Sequence, residues 1–138
     1  MIKKLFIALI AVVALGACDD KAPPPAVAPV SYMVFFELGS NKISDQSQNT
    51  VAQAAQVFKS KANARISVTG YADTVGSPAV NMQLSTARAN KVRDDLMSLG
   101  VPASAITTRG AGEEGLLVPT GQNTVEPRNR RAVLVITQ

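Results

Sequence analysis

The chain has 138 residues, with 14 Lys+Arg against 10 Asp+Glu, a single Cys, and neither His nor Trp. Without His there is no imidazole base, no Ser-His-Asp or Cys-His arrangement and no His-containing zinc site. One Cys excludes an internal disulfide and a CxxC redox pair, and the length fits one domain of ordinary size with short appendages.

Lys3 and Lys4 precede an uninterrupted apolar run, Leu5 to Leu15, that ends in Gly16-Ala17 before Cys18. Eleven apolar residues are too few to span a bilayer but suit the h-region of a secretory signal, so residues 1–17 read as an export signal. Leu15-Gly16-Ala17-Cys18 resembles the bacterial lipobox, which makes Cys18 the lipidated first residue of the mature chain. Multiple acyl chains on it imply a membrane-tethered protein, not a spanning one. Loss of Lys3 and Lys4 with the signal leaves a formal charge of +2, and nucleic-acid binding loses its compositional support.

Residues 18–30 comprise Cys18 and the tether DDKAPPPAVAPV, which holds four of the eight prolines. Proline fixes φ and removes donors, so this is a semi-rigid stalk reaching roughly 37 Å at ~3.1 Å per residue. The domain then runs over residues 31–138. Tyr32 to Phe36 reads as a first strand. Asp45 and Gln48 have the spacing of a capping box. Val51, Ala54, Ala55 and Phe58 form the stripe of a first amphipathic helix. Ile66 to Gly70 alternates as a second strand, and after a turn-rich stretch a long helical pattern ends at Leu99, with Gly100 as its stop. Ile106–Arg109 and Ala132–Ile136 read as further strands around a glycine-rich loop from Gly110 to Arg130. The order βαβαββ gives an α/β (α+β) two-layer sandwich, a mixed sheet with two helices on one face.

The second helix contradicts its own pattern. At 100° per residue Val92, Leu96 and Leu99 share one face, and Asn81, Ser85 and Arg88 project onto that same face earlier in the helix. Leu84 and Ala89 flank it. An inward Arg is costly unless a carboxylate and further hydrogen bonds meet it. Asp73, in the loop before the helix, is the nearest candidate. The pair is read in two ways: as a structural ion pair that locks the loop, or as a cleft with one fixed negative and one fixed positive charge. Such a cleft suits a zwitterion, with Arg88 forking onto a carboxylate, Asp73 taking an ammonium and Asn81 orienting the guest.

Gly70-Tyr71-Ala72-Asp73, Gly76, Asn81, Leu84-Ser85 and Arg88-Ala89 resemble the GHTDxxGxxxYNxxLSxxRA signature of the OmpA-like C-terminal domain family. Phe35-Phe36-Glu37-Leu38, Gly110-Ala111-Gly112-Glu113 and Glu126-Pro127-Arg128-Asn129-Arg130-Arg131 are similar to its flanking motifs. The resemblance implies non-catalytic binding of peptidoglycan, with the residues matching Asp73 and Arg88 clasping the diaminopimelate of the stem peptide. It places Asn81 and Leu84 along that pocket, and Asn129 and Arg130 in the nearby NRR motif. Arg131 serves either the fold or the cleft rim. Tyr71 and Ala72 depart from the usual His and Thr, Val80 from a Tyr, and Gly39 from a common Asp. Lipobox, stalk and domain together resemble the peptidoglycan-associated lipoprotein type.

The expected partners are therefore peptidoglycan, a membrane through the lipid anchor, and other envelope proteins; no cofactor and no metal is implied. The family's usual home is the outer membrane, facing the periplasm, whereas Asp19 directly after Cys18 resembles an inner-membrane retention signal. Two rival functions are an envelope protein-interaction module with a vestigial cleft and a peptidoglycan hydrolase. The second lacks an acidic partner for Asp73, since Glu113 and Glu114 read as part of a mobile loop. Gly110-Ala111-Gly112 has no following helix to present amides to a phosphate.

Overall fold

The computed structural model describes residues 22–138. The export signal, Cys18 and Asp19 lie outside them. Residues 22–29 are exposed and without regular structure, as their prolines dictate. Four strands and two α-helices follow, with short 3-10 turns at Ala103–Ala105 and Pro127–Asn129: β1 (Val30–Phe35), α1 (Asp45–Ser60), β2 (Arg65–Gly70), α2 (Pro78–Ser98), β3 (Ile106–Gly110) and β4 (Arg131–Thr137). The first strand thus begins at Val30, inside the stretch read as tether.

The sheet order is β1-β4-β2-β3. The last strand inserts between the first two, antiparallel to both, while β2 and β3 run parallel. This is the expected mixed sheet, with the most apolar strand near its middle. Along β4, Ala132, Leu134 and Ile136 are buried beneath the helices, and Val133 and Val135 face the opposite, half-open side. Val34, Ile66, Val68, Leu134 and Ile136 meet Val51, Ala54 and Ala55 of α1 and Ala89, Val92 and Leu96 of α2 in one core.

Two local expectations are corrected. Ser44, not Asp45, is the N-cap of α1, its side chain makes no cap bond, and Gln48 reaches only the Asp45 carboxylate at 3.3 Å. At the end of α2, Leu99 is the exposed C-cap. The chain reverses through Gly100 at φ +93°, and Val101 takes the buried place instead, its N–H donating to the Leu96 carbonyl.

Gly70 and Gly110 let α2 lie close on the sheet. A Cβ on Gly70 would fall 1.9 Å from the Ser85 carbonyl oxygen, and one on Gly110 would fall 2.2 Å from Thr86 Oγ1. Backbone cannot yield as a flexible side chain can. Gly70→Ala is expected to lose upwards of about 2 kcal/mol of stability in urea unfolding, by forcing α2 off the sheet.

Candidate functional site

The polar half of the α2 stripe faces loops, not strands, and this resolves the conflict within that helix. Ser77 caps the helix by accepting from Val80 N, and Pro78 takes the first turn, where no amide is needed. Asn81 Nδ2 donates to the Val75 carbonyl at 2.9 Å. Ser85 Oγ accepts from Gly112 N at 2.8 Å. Arg88 donates to three carbonyls: Nε to Ser40 at 2.9 Å, Nη1 to Tyr71 at 2.8 Å and Nη2 to Glu37 at 3.2 Å. One helix face therefore clamps the loop after β1, the loop after β2 and the loop after β3.

Arg88 is 0% exposed, with its guanidinium carbon 5.3 Å from the Phe36 ring centroid. Burial pushes its pKa well below the usual guanidinium range, to about 10, against the opposing field of Asp73 and with a further push from Arg130. Asp73 is 4% exposed, and its ion-pair partner is not Arg88 but Arg130, Nη1 to Oδ2 at 3.4 Å. Of the two readings offered for the Asp73–Arg88 pair, the direct ion pair is thus corrected. Carbonyls satisfy Arg88, and the carboxylate is left to a residue 57 positions along the chain. Asp73 also accepts from Val75 N at 3.3 Å and Glu126 N at 3.4 Å.

Arg130 is 9% exposed, and its Nε donates to the Phe36 carbonyl at 3.2 Å. It forms one wall of an open groove of about 300 Å³ that Phe36, Glu37, Pro127 and Arg128 also line. A larger groove of about 340 Å³ lies between α1 and α2, where Lys91 is already paired with Asp95. Arg130 links the first groove to a charge imbalance inside the domain: two buried guanidiniums, Arg88 and Arg130, stand around one buried carboxylate, Asp73. Such a site has room in its charge balance for an added anion, and keeps one acceptor for a cation.

The remaining expected site residues are less available. Leu84 is half-buried on the flank of α2. Asn129 is buried and spends both ends of its amide on the backbone of Val118, accepting from N at 2.9 Å and donating to O at 2.8 Å, so it anchors the long loop. Arg131 stacks on Tyr71 at 4.0 Å and donates to the Gly115 carbonyl; its Nε and Nη1 have no partner among the described residues. Tyr71 thus carries a cation–π contact at a position where the family pattern has His. Among the described residues no group of three or more acidic, His or Cys side chains could hold a metal ion.

The sequence reading missed Thr74 and Glu113. Thr74 is buried, and its Oγ1 donates to the Gly121 carbonyl and accepts from Thr124 N at 3.1 Å, while its carbonyl accepts from Asn123 N at 2.7 Å. It latches the long loop to the Asp73 turn. Glu113 is not in a free loop, because its carboxylate accepts from Asn81 and Gln122. Thr74→Val keeps the shape and removes the hydroxyl. We expect a loss of about 1–2 kcal/mol and faster amide exchange at residues 121–124, read by hydrogen exchange.

Residues 35–130 match the OmpA family. The outer membrane protein of Gluconacetobacter diazotrophicus is 39% identical over 83% of this chain, but only 31% of that protein is covered. The chain thus spans about a third of the length of that relative. The peptidoglycan-associated lipoprotein of Brucella melitensis is 34% identical over 88% of this chain and 72% of its own length. The crystal structure of the peptidoglycan-associated lipoprotein from Burkholderia pseudomallei superposes with a TM-score of 0.70 at 31% identity, covering 76% of this chain and 89% of that one.

Proposed function

This chain belongs to the OmpA family, and from that premise we propose that it binds peptidoglycan non-covalently through the diaminopimelate of the stem peptide. The side-chain end of diaminopimelate carries an ammonium and a carboxylate on one carbon. The observation that carries the reading is the buried charge set: Asp73 with Arg130 at 3.4 Å, and Arg88 within the field of both. A guest carboxylate supplies the anion this set lacks, and Asp73 receives the ammonium. Arg130 reaches the open groove as the structure stands. Contact with Arg88 requires the Glu37–Ser40 turn to release at least one carbonyl, so binding is coupled to movement of that turn.

In this reading Cys18 carries the lipid and the proline-rich segment spans the gap, tethering the outer membrane to the cell wall from its periplasmic side. An inner-membrane anchor, suggested by Asp19, leaves the chemistry of the cleft unchanged. The role is binding, not catalysis. Co-sedimentation of the full chain with isolated sacculi tests it. The chain is expected to pellet with the sacculi and to be displaced by excess meso-diaminopimelate. Pelleting that the amino acid leaves untouched would refute this site.

One observation favours a second reading, a protein-interaction module with a vestigial cleft. Arg88 is sealed from solvent, with three carbonyl partners. In that case Asp73 and Arg88 hold loops only, and sacculus binding in Asp73→Asn equals that of the unaltered chain.

A further inference from the structure

We propose that Glu113 is a positioning residue: it fixes the polarity of the Asn81 amide and so makes the cleft selective for a guest with a free amine. The inference rests on the diaminopimelate reading above. Asn81 is 2% exposed, and its Nδ2 donates both to the Val75 carbonyl at 2.9 Å and to Glu113 Oε1 at 2.7 Å. Both amide hydrogens are thereby used. Reversing the amide would set its carbonyl oxygen against a carboxylate and a carbonyl, two acceptors, so only one orientation is tolerable. Glu113 is itself held, since Gln122 Nε2 donates to its other oxygen at 3.0 Å.

The consequence falls on Asn81 Oδ1. Among the described residues it accepts from no donor, yet it is not among the sealed, partnerless atoms, which are Arg131 Nε and Nη1. It is therefore the amide's unused acceptor, and it is not fully enclosed. The Val75 peptide joins it to Asp73: Val75 N donates to Asp73 Oδ1 at 3.3 Å while its carbonyl receives Asn81. In the proposed complex Asp73 and Asn81 Oδ1 are the acceptors that meet the ammonium, and Arg130, with Arg88 once the Glu37–Ser40 turn lets go, supplies the donors for the carboxylate. An ammonium has three hydrogens to share between the two acceptors. An acylated amine is neutral, has one hydrogen and leaves an acceptor unmet.

The test uses the full-length chain in detergent and two peptides. One is the N-acetyl tripeptide stem ending in meso-diaminopimelate; the other has 2-aminopimelate in its place and so lacks the free amine. The unaltered chain is expected to prefer the first by roughly a hundredfold in titration calorimetry, about tenfold for each charge-assisted bond lost. In Glu113→Ala this preference falls about tenfold, because the Val75 carbonyl, 2.9 Å away, is then the single acceptor holding the amide's polarity and the reversed orientation is no longer opposed by a carboxylate. Glu113→Gln, whose side-chain oxygen can still accept from Asn81, keeps the preference within about threefold of the unaltered chain. Equal weakening of both peptides in Glu113→Ala, with the ratio preserved, assigns Glu113 a merely structural role and overturns the inference while the diaminopimelate reading stands. No binding of either peptide by the unaltered chain removes the diaminopimelate reading, and this inference with it.

Discussion

Asp73→Asn is expected to remain folded and to bind sacculi at least about thirtyfold more weakly. Asn has the shape of Asp and keeps an oxygen for Val75 N, which lies 3.3 Å from the present carboxylate. What disappears is the negative charge that meets Arg130 and, in the proposed complex, the guest ammonium. Removing one partner of a desolvated, hydrogen-bonded charge pair costs about 2–5 kcal/mol in binding, and 2 kcal/mol is the thirtyfold floor. The same change leaves Arg88 and Arg130 without their buried counter-charge, a stability loss of about 3 kcal/mol. An ordinary domain has about 5–15 kcal/mol in hand, so the fold survives. Co-sedimentation well below the melting temperature, beside circular dichroism, separates the two effects.

Arg88→Met carries the largest expected loss of stability, about 3–5 kcal/mol in urea unfolding. Methionine fills much of the space, but the carbonyls of Ser40 and Tyr71 lose their donor, and that of Glu37 keeps only the 3.3 Å bond from Ser40 N. Each unmet buried carbonyl costs about 1–3 kcal/mol. Relief from burying a charge returns part of that, since burial already pulls this guanidinium down to about 10. Arg88→Lys is expected to recover little, because one ammonium cannot fork across three carbonyls on separate loops. Arg128→Ala serves as the control. That side chain is exposed and paired only with Glu126, so its removal is expected to change stability by no more than about 0.5 kcal/mol.

What could be read from the sequence follows from the range of each signal. Helix periodicity is local, so the apolar stripe of α1 and the polar intrusion of Asn81, Ser85 and Arg88 into α2 were both legible. The partner of Arg88 was not: backbone carbonyls carry no side-chain signature, and any loop can offer them. A carboxylate was the natural expectation, but Asp73 went to Arg130, at a separation no periodicity reports. Asn129 looked like a ligand residue beside Arg130, and only the course of the long loop shows its amide spent on Val118.

Two further points turn on tertiary context. The place of β4 between β1 and β2 was signalled faintly by Ala132–Ile136, the most apolar of the strands. Such a run marks an interior strand without saying whose neighbour it is. Leu99 fitted the inward stripe by its angle but fell at the cap, where the chain turns and Val101 fills the core. Glu113 was read as loop because glycines surround it. Its bond to Asn81, 32 residues away, is what ties that loop down.

The most direct measurement is nuclear magnetic resonance of the arginine Nε–H signals while the tripeptide stem is titrated into the full chain. Arg130 and Arg88 are expected to shift together and to saturate, with Arg93 and Arg109, exposed elsewhere on the domain, unmoved. Saturable attachment to sacculi while neither Arg130 nor Arg88 responds to the stem would contradict the account.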